Sequence, residues 1–537
     1  MTFSIDRRSL LQGGLFGIGA LALPGNVAAL LAARGFTHNV ASGEPRQKSV
    51  MLWTRYVPAS GDSARLVWEV SPNRRFSRVV ASGEVRAEAD HDFTVKPIAG
   101  NLAPGRWYYY RFRDRHGRVS PIGRTRTLPD GPIDKFTLAL FSCSNIGFGW
   151  FNAYAHAAAR PDLDLTIHVG DYLYEYDRGE YPDLKEAIRP AMVIPTNEII
   201  HLADYRMRYA SYRSDPDLQR LHARFPMIAM WDDHESANDS WVGGAQNHQP
   251  ETEGPWDARK TAAVQAYREW LPVSDSDWED YDVGELATIF KIETRLTARV
   301  KQLDMLAAIS GQQDINSALV RFRDGPWQDS ARTLMGAKQE PWLADAFRRS
   351  TGRGAKWQVL AQQVVMGSLA FPDEAASWGF TSDRAKTQLA ASKVGLPFNM
   401  DDWDGYPAAR ARLLTSAANA NANLVVLSGD SHNAWAFDHQ VRGTPVGVEF
   451  GGQSVTSPGF EHSVSAVAPA QLAQELIGRN PALKWADTSR RGYVTVELTP
   501  SYATGEWMFM ETVTRRSIVL SGTHRMSAAF GARRFSA

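Results

Sequence analysis

The chain has 537 residues, of which 44% are hydrophobic and 22% are charged, a composition typical of a globular protein with room for two or more domains. Lys and Arg together number 59, as do Asp and Glu, so the net charge is zero. This balance gives no nucleic-acid-binding signature, although it leaves a local basic patch open. The single cysteine, Cys143, excludes a disulfide within the chain.

The first 33 residues have the pattern of an export signal. Arg7 and Arg8 precede an apolar stretch rich in Gly and Ala, which is too short to span a bilayer comfortably. A frayed N-terminal helix is the alternative, but the arginine pair is typical of twin-arginine signals, which export folded proteins. We therefore expect residues 1–33 to be a signal peptide, the twin-arginine machinery to be a partner, and the protein to be periplasmic or secreted. No other stretch is long and apolar enough for a transmembrane helix.

Residues 36–130 predict a small all-β domain. Short runs of β-branched and aromatic residues, such as 64–70, alternate with turn residues. In the segment 102–112 a Leu-x-Pro turn precedes a Tyr-rich strand, as at the tyrosine corner of fibronectin type III and immunoglobulin-like sandwiches. Tyr108 would be the corner residue, so the sequence predicts a β-sandwich here.

Residues 133–510 predict a layered α/β domain with a buried sheet, because apolar strands now alternate with helical stretches. The predicted strands are 136–141, 163–169, 225–231, 357–366 and 424–427. Helix-like stretches such as 260–270 and 339–349 lie between them. Residues 511–537 are expected to be a C-terminal extension of this domain.

Side chains that can bind metals follow four of the predicted strands. They are Cys143, Asp171 with Tyr174, Asp232 to His234 with Asn238, and Asp430 with His432. Each has a simpler explanation when it is taken alone, such as a Gly-Asp turn or a buried cysteine. Ligands bind at the carboxyl ends of strands in open α/β sheets, so four such ends in one chain predict a site.

The mixture of ligand types predicts two metal ions. Carboxylates, imidazole, a phenol and a thiolate can together bind two cations, and the thiolate and phenolate favour a higher-valent transition metal. Two such ions would activate an attacking oxygen and polarise a phosphoryl group. In this hypothesis Asp171 bridges the two metals and Tyr174 binds one of them.

Three motifs occur in order along the chain: Gly-Asp-Tyr-Leu-Tyr at 170–174, Asp-Asp-His-Glu at 232–235 and Gly-Asp-Ser-His at 429–432. With these motifs in this order the chain resembles the calcineurin-like metallophosphoesterases. The tyrosine of the first motif is similar to that of purple acid phosphatases. The usual Asp-x-His motif is replaced by Phe-Ser-Cys-Ser-Asn at 141–145, as in PhoD-type alkaline phosphatases. Residues 36–58, 204–235 and 490–500 are also similar to that family.

The resemblance implies an exported, metal-dependent hydrolase of phosphate mono- or diesters with a layered metallophosphoesterase fold behind a small β-sandwich. It implies one ferric iron and one or two calcium ions. The implied iron ligands are Cys143, Asp171, Tyr174 and His432. The implied calcium ligands are Asp171, Asn238 and Asp430, with Asp233 as a further candidate. His234 would protonate the leaving group.

Two alternative functions stay open at this point. The sequence lacks the motifs of other hydrolases and of nucleotide-binding proteins, namely Gly-x-Ser-x-Gly, His-Glu-x-x-His and the phosphate-binding Gly-rich loop. A phospholipase D-like phosphodiesterase would use the same site. A non-catalytic surface binding protein is the other alternative, but the full ligand set argues against it. We expect a monomer that acts on a phosphate ester.

Overall fold

The computed structural model describes residues 32–380 and 382–536. Residues 1–31, which contain Arg7 and Arg8 of the predicted signal, lie outside the described residues. The strands, in chain order, are β1 (Gly35–Gly43), β2 (Val50–Val57), β3 (Ser63–Ser71), β4 (Ala81–Glu88), β5 (Thr94–Val95), β6 (Ile98–Ala99), β7 (Trp107–Asp114), β8 (Gly123–Arg126), β9 (Phe136–Phe141), β10 (Leu165–His168), β11 (Pro226–Ala229), β12 (Glu279–Val283), β13 (Ala287–Lys291), β14 (Trp357–Ala361), β15 (Leu424–Ser428), β16 (Ala434–Val441), β17 (Thr444–Gly451), β18 (Leu483–Asp487), β19 (Gly492–Leu498), β20 (Tyr502–Met510) and β21 (Leu520–Ala529).

The α-helices are α1 (Asn152–Ala159), α2 (Leu202–Arg213), α3 (Pro216–Arg224), α4 (Pro250–Glu253), α5 (Trp256–Trp270), α6 (Met305–Ile309), α7 (Ile315–Asp324), α8 (Gly336–Gly352), α9 (Asp383–Lys393), α10 (Pro407–Asn419), α11 (Phe460–Ser463) and α12 (Pro469–Arg479). None of the helices in the described part of the chain is long and apolar enough to cross a membrane.

Two large sheets pack face to face and form the centre of the molecule. The ten-stranded sheet has the order β21-β20-β19-β9-β10-β11-β1-β2-β5, with β6 paired to β2. The seven-stranded sheet has the order β12-β13-β14-β15-β17-β16-β18. Strands β9, β10, β11 and β1 run parallel, as do β13, β14, β15 and β17. The parallel strands therefore present several carboxyl ends together, which is where the site lies.

Strand β9 shows why these sequences form buried strands. Its alternate residues Leu138 and Leu140 lie in the core between the two sheets, whereas Ala139 and Phe141 face the helix-covered side. Full burial of one such leucine contributes about 1.5–3 kcal/mol. Because both faces are covered, the strand is apolar except for the buried Thr137, and it spans the residues 136–141 that the sequence predicted.

The predicted N-terminal β-sandwich forms, but one of its sheets is shared with the rest of the protein. Strands β4, β3, β7 and β8 make a four-stranded sheet that packs on β1, β2, β5 and β6. The backbone N–H of Ala103 donates a hydrogen bond of 2.9 Å to the hydroxyl of Tyr108, which is the predicted tyrosine corner. Strand β1 also pairs with β11, with Ser42 opposite Pro226. The division near residue 130 stays a prediction, and the large sheet runs across it.

Strand β21, near the C-terminus, is the edge strand of the ten-stranded sheet. Residues 511–537 were expected to be a C-terminal extension, and this boundary stays a prediction. Within them β21 pairs with β20 along its whole length, from Tyr502 opposite Ala529 to Met510 opposite Leu520. Strand β21 alternates exposed and partly buried residues because it lies at the edge of the sheet. Its apolar content is therefore too low for the sequence to indicate a strand of the core.

Candidate metal centre

The predicted site residues come together at the carboxyl ends of strands from both sheets. Cys143 follows β9, Asp171 follows β10, Asp233 follows β11, and Asp430 follows β15. The first three strands are neighbours in the ten-stranded sheet, and β15 belongs to the opposite sheet. The site therefore lies where the ends of the two packed sheets meet.

Four of the predicted ligands have a strained backbone. The φ angles of Cys143, Asp171, Asp430 and His432 are 57°, 53°, 60° and 63°, in the left-handed region that non-glycine residues rarely adopt. Each such residue costs on the order of 1–3 kcal/mol, and this strain is concentrated at functional sites in proteins. The shared conformation therefore supports a functional constraint on all four residues.

Asp171 and Asp430 each follow a glycine, which allows their loops to lie close to neighbouring loops. A Cβ atom on Gly170, which has a φ of +108°, would lie 2.3 Å from the Cβ of Asp232. A Cβ atom on Gly429 would lie 2.5 Å from the Cβ of Ser142. These separations are too short for real side chains, so the two Gly-Asp pairs are needed for close packing as well as for ligands.

Three groups of ligand atoms lie close enough to hold metal ions. The atoms within each group are all within 4.8 Å of one another, and the groups are Cys143 with Asp171 and His432, Asp171 with Asp233 and His234, and Asp232 with Asp233 and Asp430. Asp171 belongs to two groups and Asp233 to two. The groups therefore form one continuous cluster with room for more than one ion.

The side chains of this cluster fit metal ions because buried carboxylate oxygens are left without partners. Oδ1 of Asp171, Oδ2 of Asp232 and Oδ1 of Asp233 are buried and accept no hydrogen bond. Burial raises the pKa values of Asp171 and Asp232 well above the usual range, and the pKa of Asp430 to about 7. Buried carboxylate oxygens that accept no hydrogen bond are unfavourable, and bound cations would compensate them.

Tyr174 and His432 are held with their ligand atoms directed into the cluster. The Tyr174 hydroxyl lies 3.1 Å from Oδ2 of Asp171 and 3.2 Å from Nε2 of His432, and it accepts a 2.8 Å hydrogen bond from Ser457. Nδ1 of His432 lies 2.8 Å from the carbonyl oxygen of Pro458. Such a contact fixes the ring so that Nε2 is available to a metal.

His234 is fixed by a buried carboxylate that the sequence analysis did not identify. Its Nδ1 lies 2.7 Å from Oε2 of Glu175, and its ring packs on Tyr174 with centroids 4.2 Å apart. Burial lowers the pKa of His234, but Glu175, Asp233 and Asp171 outweigh it and raise that pKa well above its usual value. With Nδ1 engaged, Nε2 is the atom left for a proton or a metal.

Asn238 lies beside the cluster, but its side chain has another partner. Its amide group donates a 2.9 Å hydrogen bond to Oε1 of Gln246, and its backbone N–H donates a 2.7 Å hydrogen bond to Glu175. The role of Asn238 as a calcium ligand therefore stays a prediction.

Arg295 is the main charged residue of the site that sequence reasoning missed. Its guanidinium group is fully buried and forms an ion pair with Asp232 and others with Asp401 at 2.6 Å and Asp430 at 3.1 Å. It thus offsets part of the negative charge of the cluster. No motif in the sequence marks this arginine, since it lies in the loop after β13, far along the chain from its partners.

Glu235 joins two of the ligand-bearing loops through backbone contacts. Its carboxylate accepts hydrogen bonds from the N–H groups of Asp171 at 3.1 Å, Tyr172 at 2.6 Å and Asp232 at 2.8 Å. Its place in the Asp-Asp-His-Glu motif was a signal that could have identified it.

Comparisons with known proteins agree with this architecture. A family model described as PhoD-like phosphatase matches residues 138–507, and one described as the N-terminal domain of PhoD-like phosphatase matches residues 23–129. Alkaline phosphatase D of Bacillus subtilis (strain 168) is 32% identical over 557 aligned positions, which cover 96% of this chain and 86% of the relative. A solved structure named "Structure of PhoD" has a TM-score of 0.77 and 30% identity, over 94% of this chain and 92% of that chain.

These matches confirm the predicted layered α/β fold with its N-terminal β domain, and they confirm a phosphatase rather than a non-catalytic binding protein. The metal dependence expected from the sequence fits the family and the ligand groups of the structure. The chain belongs to the PhoD-like phosphatase family and is an enzyme that hydrolyses phosphate esters.

Proposed function

We propose that this phosphatase is an exported enzyme whose site holds one ferric iron and one or two calcium ions. Export is proposed from the N-terminal sequence pattern alone, whereas the metal assignment rests on the continuous ligand cluster, in which Asp171 and Asp233 each belong to two groups and keep an oxygen that accepts no hydrogen bond. Cys143, Asp171, Tyr174 and His432 would hold the iron, since a thiolate and a phenolate suit a higher-valent metal. Asp171, Asp233, Asn238 and Asp430 would hold calcium, which prefers oxygen ligands.

The protein's own side chains prepare the leaving-group step. When bound, the metal ions supply an activated water and a polarised phosphoryl group. His234 holds a proton at Nε2 for the leaving oxygen, while Glu175 keeps its Nδ1 engaged. Arg295 orients Asp232 and Asp430 through its ion pairs. A general acid of this kind typically contributes about 10²–10⁴-fold to the rate.

A cavity beside the cluster favours a phosphodiester as a second substrate class. It has a volume of about 450 Å³ and is lined by Asp239, Trp241, Met305, Phe398 and Asp401, among others. The backbone N–H of Asp239 donates a 2.6 Å hydrogen bond to Oδ2 of Asp233, so the cavity adjoins the ligand cluster. It has room for a second alcohol group, which a monoester lacks.

We expect the purified protein to hydrolyse p-nitrophenyl phosphate and bis(p-nitrophenyl) phosphate, and to lose both activities when its metals are chelated. The steady-state rates on the two esters, before chelation and after metals are returned, test the function and rank the two substrate classes. Full activity after complete removal of metals, verified by elemental analysis, would contradict the proposal.

The iron assignment predicts a visible absorption band. Tyr174 as a ligand of ferric iron would give a phenolate-to-metal charge-transfer band, so Tyr174→Phe should lose most of it while its calcium content stays the same. Absorption spectra and elemental analysis of both proteins measure this. Tyr176→Phe is the matched control, because Tyr176 is a nearby tyrosine outside the ligand groups. A colourless, fully active wild-type protein that contains only zinc would refute the iron assignment.

In this proposal the protein is exported by the twin-arginine route, which would depend on Arg7 and Arg8. Replacing Arg7 and Arg8 by lysine should leave the unprocessed protein in the cytoplasm, since that route requires the arginine pair. Immunoblots of cytoplasmic and exported fractions measure the outcome. Normal processing and export of the double variant would contradict the proposed route.

A further inference from the structure

Positive charge is concentrated in the N-terminal part of a chain whose net charge is zero. Residues 36–130 carry 14 Arg and 2 Lys but only 9 Asp and Glu residues, an excess of seven positive charges. Arginine greatly outnumbers lysine, and its planar guanidinium fork suits bidentate contacts with phosphate oxygens. The position of these arginines in the fold therefore matters.

Strand β8 places two arginines on the outer face of the four-stranded sheet. Tyr108 and Phe112 of β7 point into the sandwich core, so the alternating residue Trp107 faces outward. The register pairs Trp107 with Arg126 across the strands, and Arg124 lies two residues away on the same face. Both arginines therefore stand beside Trp107.

Two guanidinium groups lie against Trp107 and a third lies against Phe225, a ring that contacts Trp107 where β8 packs against helix α3. The Cζ atoms of Arg124 and Arg126 lie 3.4 Å and 5.5 Å from the Trp107 ring centroid. The Trp107 ring contacts Phe225 with centroids 6.2 Å apart, and the Cζ of Arg224 lies 5.6 Å from the Phe225 centroid. We call Arg124, Arg126 and Arg224 the seam arginines.

The seam arginines carry more positive charge than their surroundings neutralise. Asp164 forms an ion pair with Arg126 and also accepts a 3.0 Å hydrogen bond from the backbone N–H of Thr137. Within the described residues, Arg124 and Arg224 have no carboxylate within ion-pair distance. The buried Nε atoms of Arg126 and Arg224 donate no hydrogen bond. These donors are therefore available to an acceptor such as an anion.

We propose that the seam arginines bind a phosphate group. Three guanidinium forks beside a pair of contacting aromatic rings match a tetrahedral dianion with several acceptor oxygens better than they match a single carboxylate. Stacking on Trp107 fixes the plane of Arg124 and leaves its N–H edge available. The ligand is inorganic phosphate or a phosphate group carried on a polymer. None of these residues belongs to the metal cluster, so the site is independent of the proposed chemistry.

Calorimetric titration of the metal-loaded protein with inorganic phosphate tests the proposal. The wild type should bind phosphate at two sites, and Asp171→Asn, which disables the metal centre, should keep one of them. In the Asp171→Asn background, replacing Arg124 and Arg224 by glutamine should weaken the remaining site by about 100-fold or more, because two charge-assisted contacts are lost. An unchanged affinity, or no site in Asp171→Asn, would overturn the proposal.

Two controls keep this test decisive. Arg65→Gln with Arg86→Gln removes the same charge from the same sheet, but these arginines already face Glu84 and Glu88, so phosphate binding should stay as in the parent. If the glutamine pair fails to fold, Arg124→Lys keeps the charge without the planar fork and should bind at least about tenfold more weakly. If the control with Arg65 and Arg86 replaced lost the same affinity for phosphate, the effect would be explained by net charge alone, and the proposal of a specific site would be overturned.

A parallel titration with linear polyphosphate distinguishes the two sources of the ligand. A polymer-borne phosphate predicts tighter binding of polyphosphate than of inorganic phosphate, with the preference lost in the Arg124 and Arg224 variant. Equal affinities indicate free phosphate as the ligand. Failure of the phosphatase assays would leave these titrations interpretable, because the metal centre is disabled in the parent protein.

Discussion

Replacing Asp171 by asparagine is expected to remove bound metal and phosphate-ester hydrolysis together. The Asp171 carboxylate belongs to two of the three ligand groups, and the amide of asparagine has no charge with which to bridge two cations. Bound metals contribute several kcal/mol of charge stabilisation in the transition state, so the rate should fall about 10³-fold or more. Elemental analysis and kcat on p-nitrophenyl phosphate measure the two losses.

The stability of the Asp171→Asn variant separates a missing ligand from misfolding. In the metal-free protein the buried charge is unfavourable, since burial and neighbouring carboxylates raise the pKa of Asp171 well above its usual value. Asparagine removes that charge, so the metal-free variant should unfold at the same temperature as the metal-free wild type or higher. Asp177→Asn, an exposed position on the same loop, should keep metal and activity. A variant that retains both metals would exclude Asp171 as the bridging ligand.

Replacing His234 by alanine is expected to slow the hydrolysis of esters with poor leaving groups by about 10²–10⁴-fold while the metals stay bound. The histidine holds its remaining ring nitrogen toward the cluster, because Glu175 engages Nδ1. A leaving group such as p-nitrophenolate needs little protonation, so its ester should be much less affected. Rates across a series of leaving-group pKa values, with metal content for each protein, test this role.

The outcomes for His234 are separable because its ring also lies within one of the ligand groups. Equal slowing for good and poor leaving groups, with metals retained, would assign His234 to positioning or charge stabilisation. Loss of metal would make it a ligand instead. His116→Ala, at an exposed position in the β-sandwich, is the control and should leave both rates and metal content unchanged.

The strands of the core could be predicted from sequence more closely than their ends. Strand β9 matches the predicted residues 136–141, because its apolar run stops where the strand stops. Strands β10 and β11 are shorter than predicted, since Val169 and Trp231 are buried and apolar although they lie beyond the last ladder residues. After β10 and β11, burial continues into the loops that carry the ligands. The end of the apolar run therefore does not mark the end of the strand.

The ligands of the site were accessible to sequence reasoning, whereas the groups that support them were not. Asp171, Asp430 and their neighbours stand in short motifs after apolar runs. Arg295 donates hydrogen bonds to Asp232, 63 positions away, and to Asp430, 135 positions away. Glu175 contacts the ring of His234, 59 positions away. Such pairs form only when loops that are distant in sequence come together in the fold. No periodicity or spacing within one segment predicts these contacts.

The ten-stranded sheet is built from strands that are far apart in the sequence, and this affects how the protein folds as it is synthesised. Strand β9 pairs with β19, with Leu140 opposite Val494, and β1 pairs with β11. Such long-range pairing gives a high contact order, which slows folding. The cluster likewise needs Cys143 from the first half and His432 from the second. A nascent chain therefore cannot complete its metal centre until β15 and the loop after it have left the ribosome, and until then its unpaired strand edges are open to aggregation.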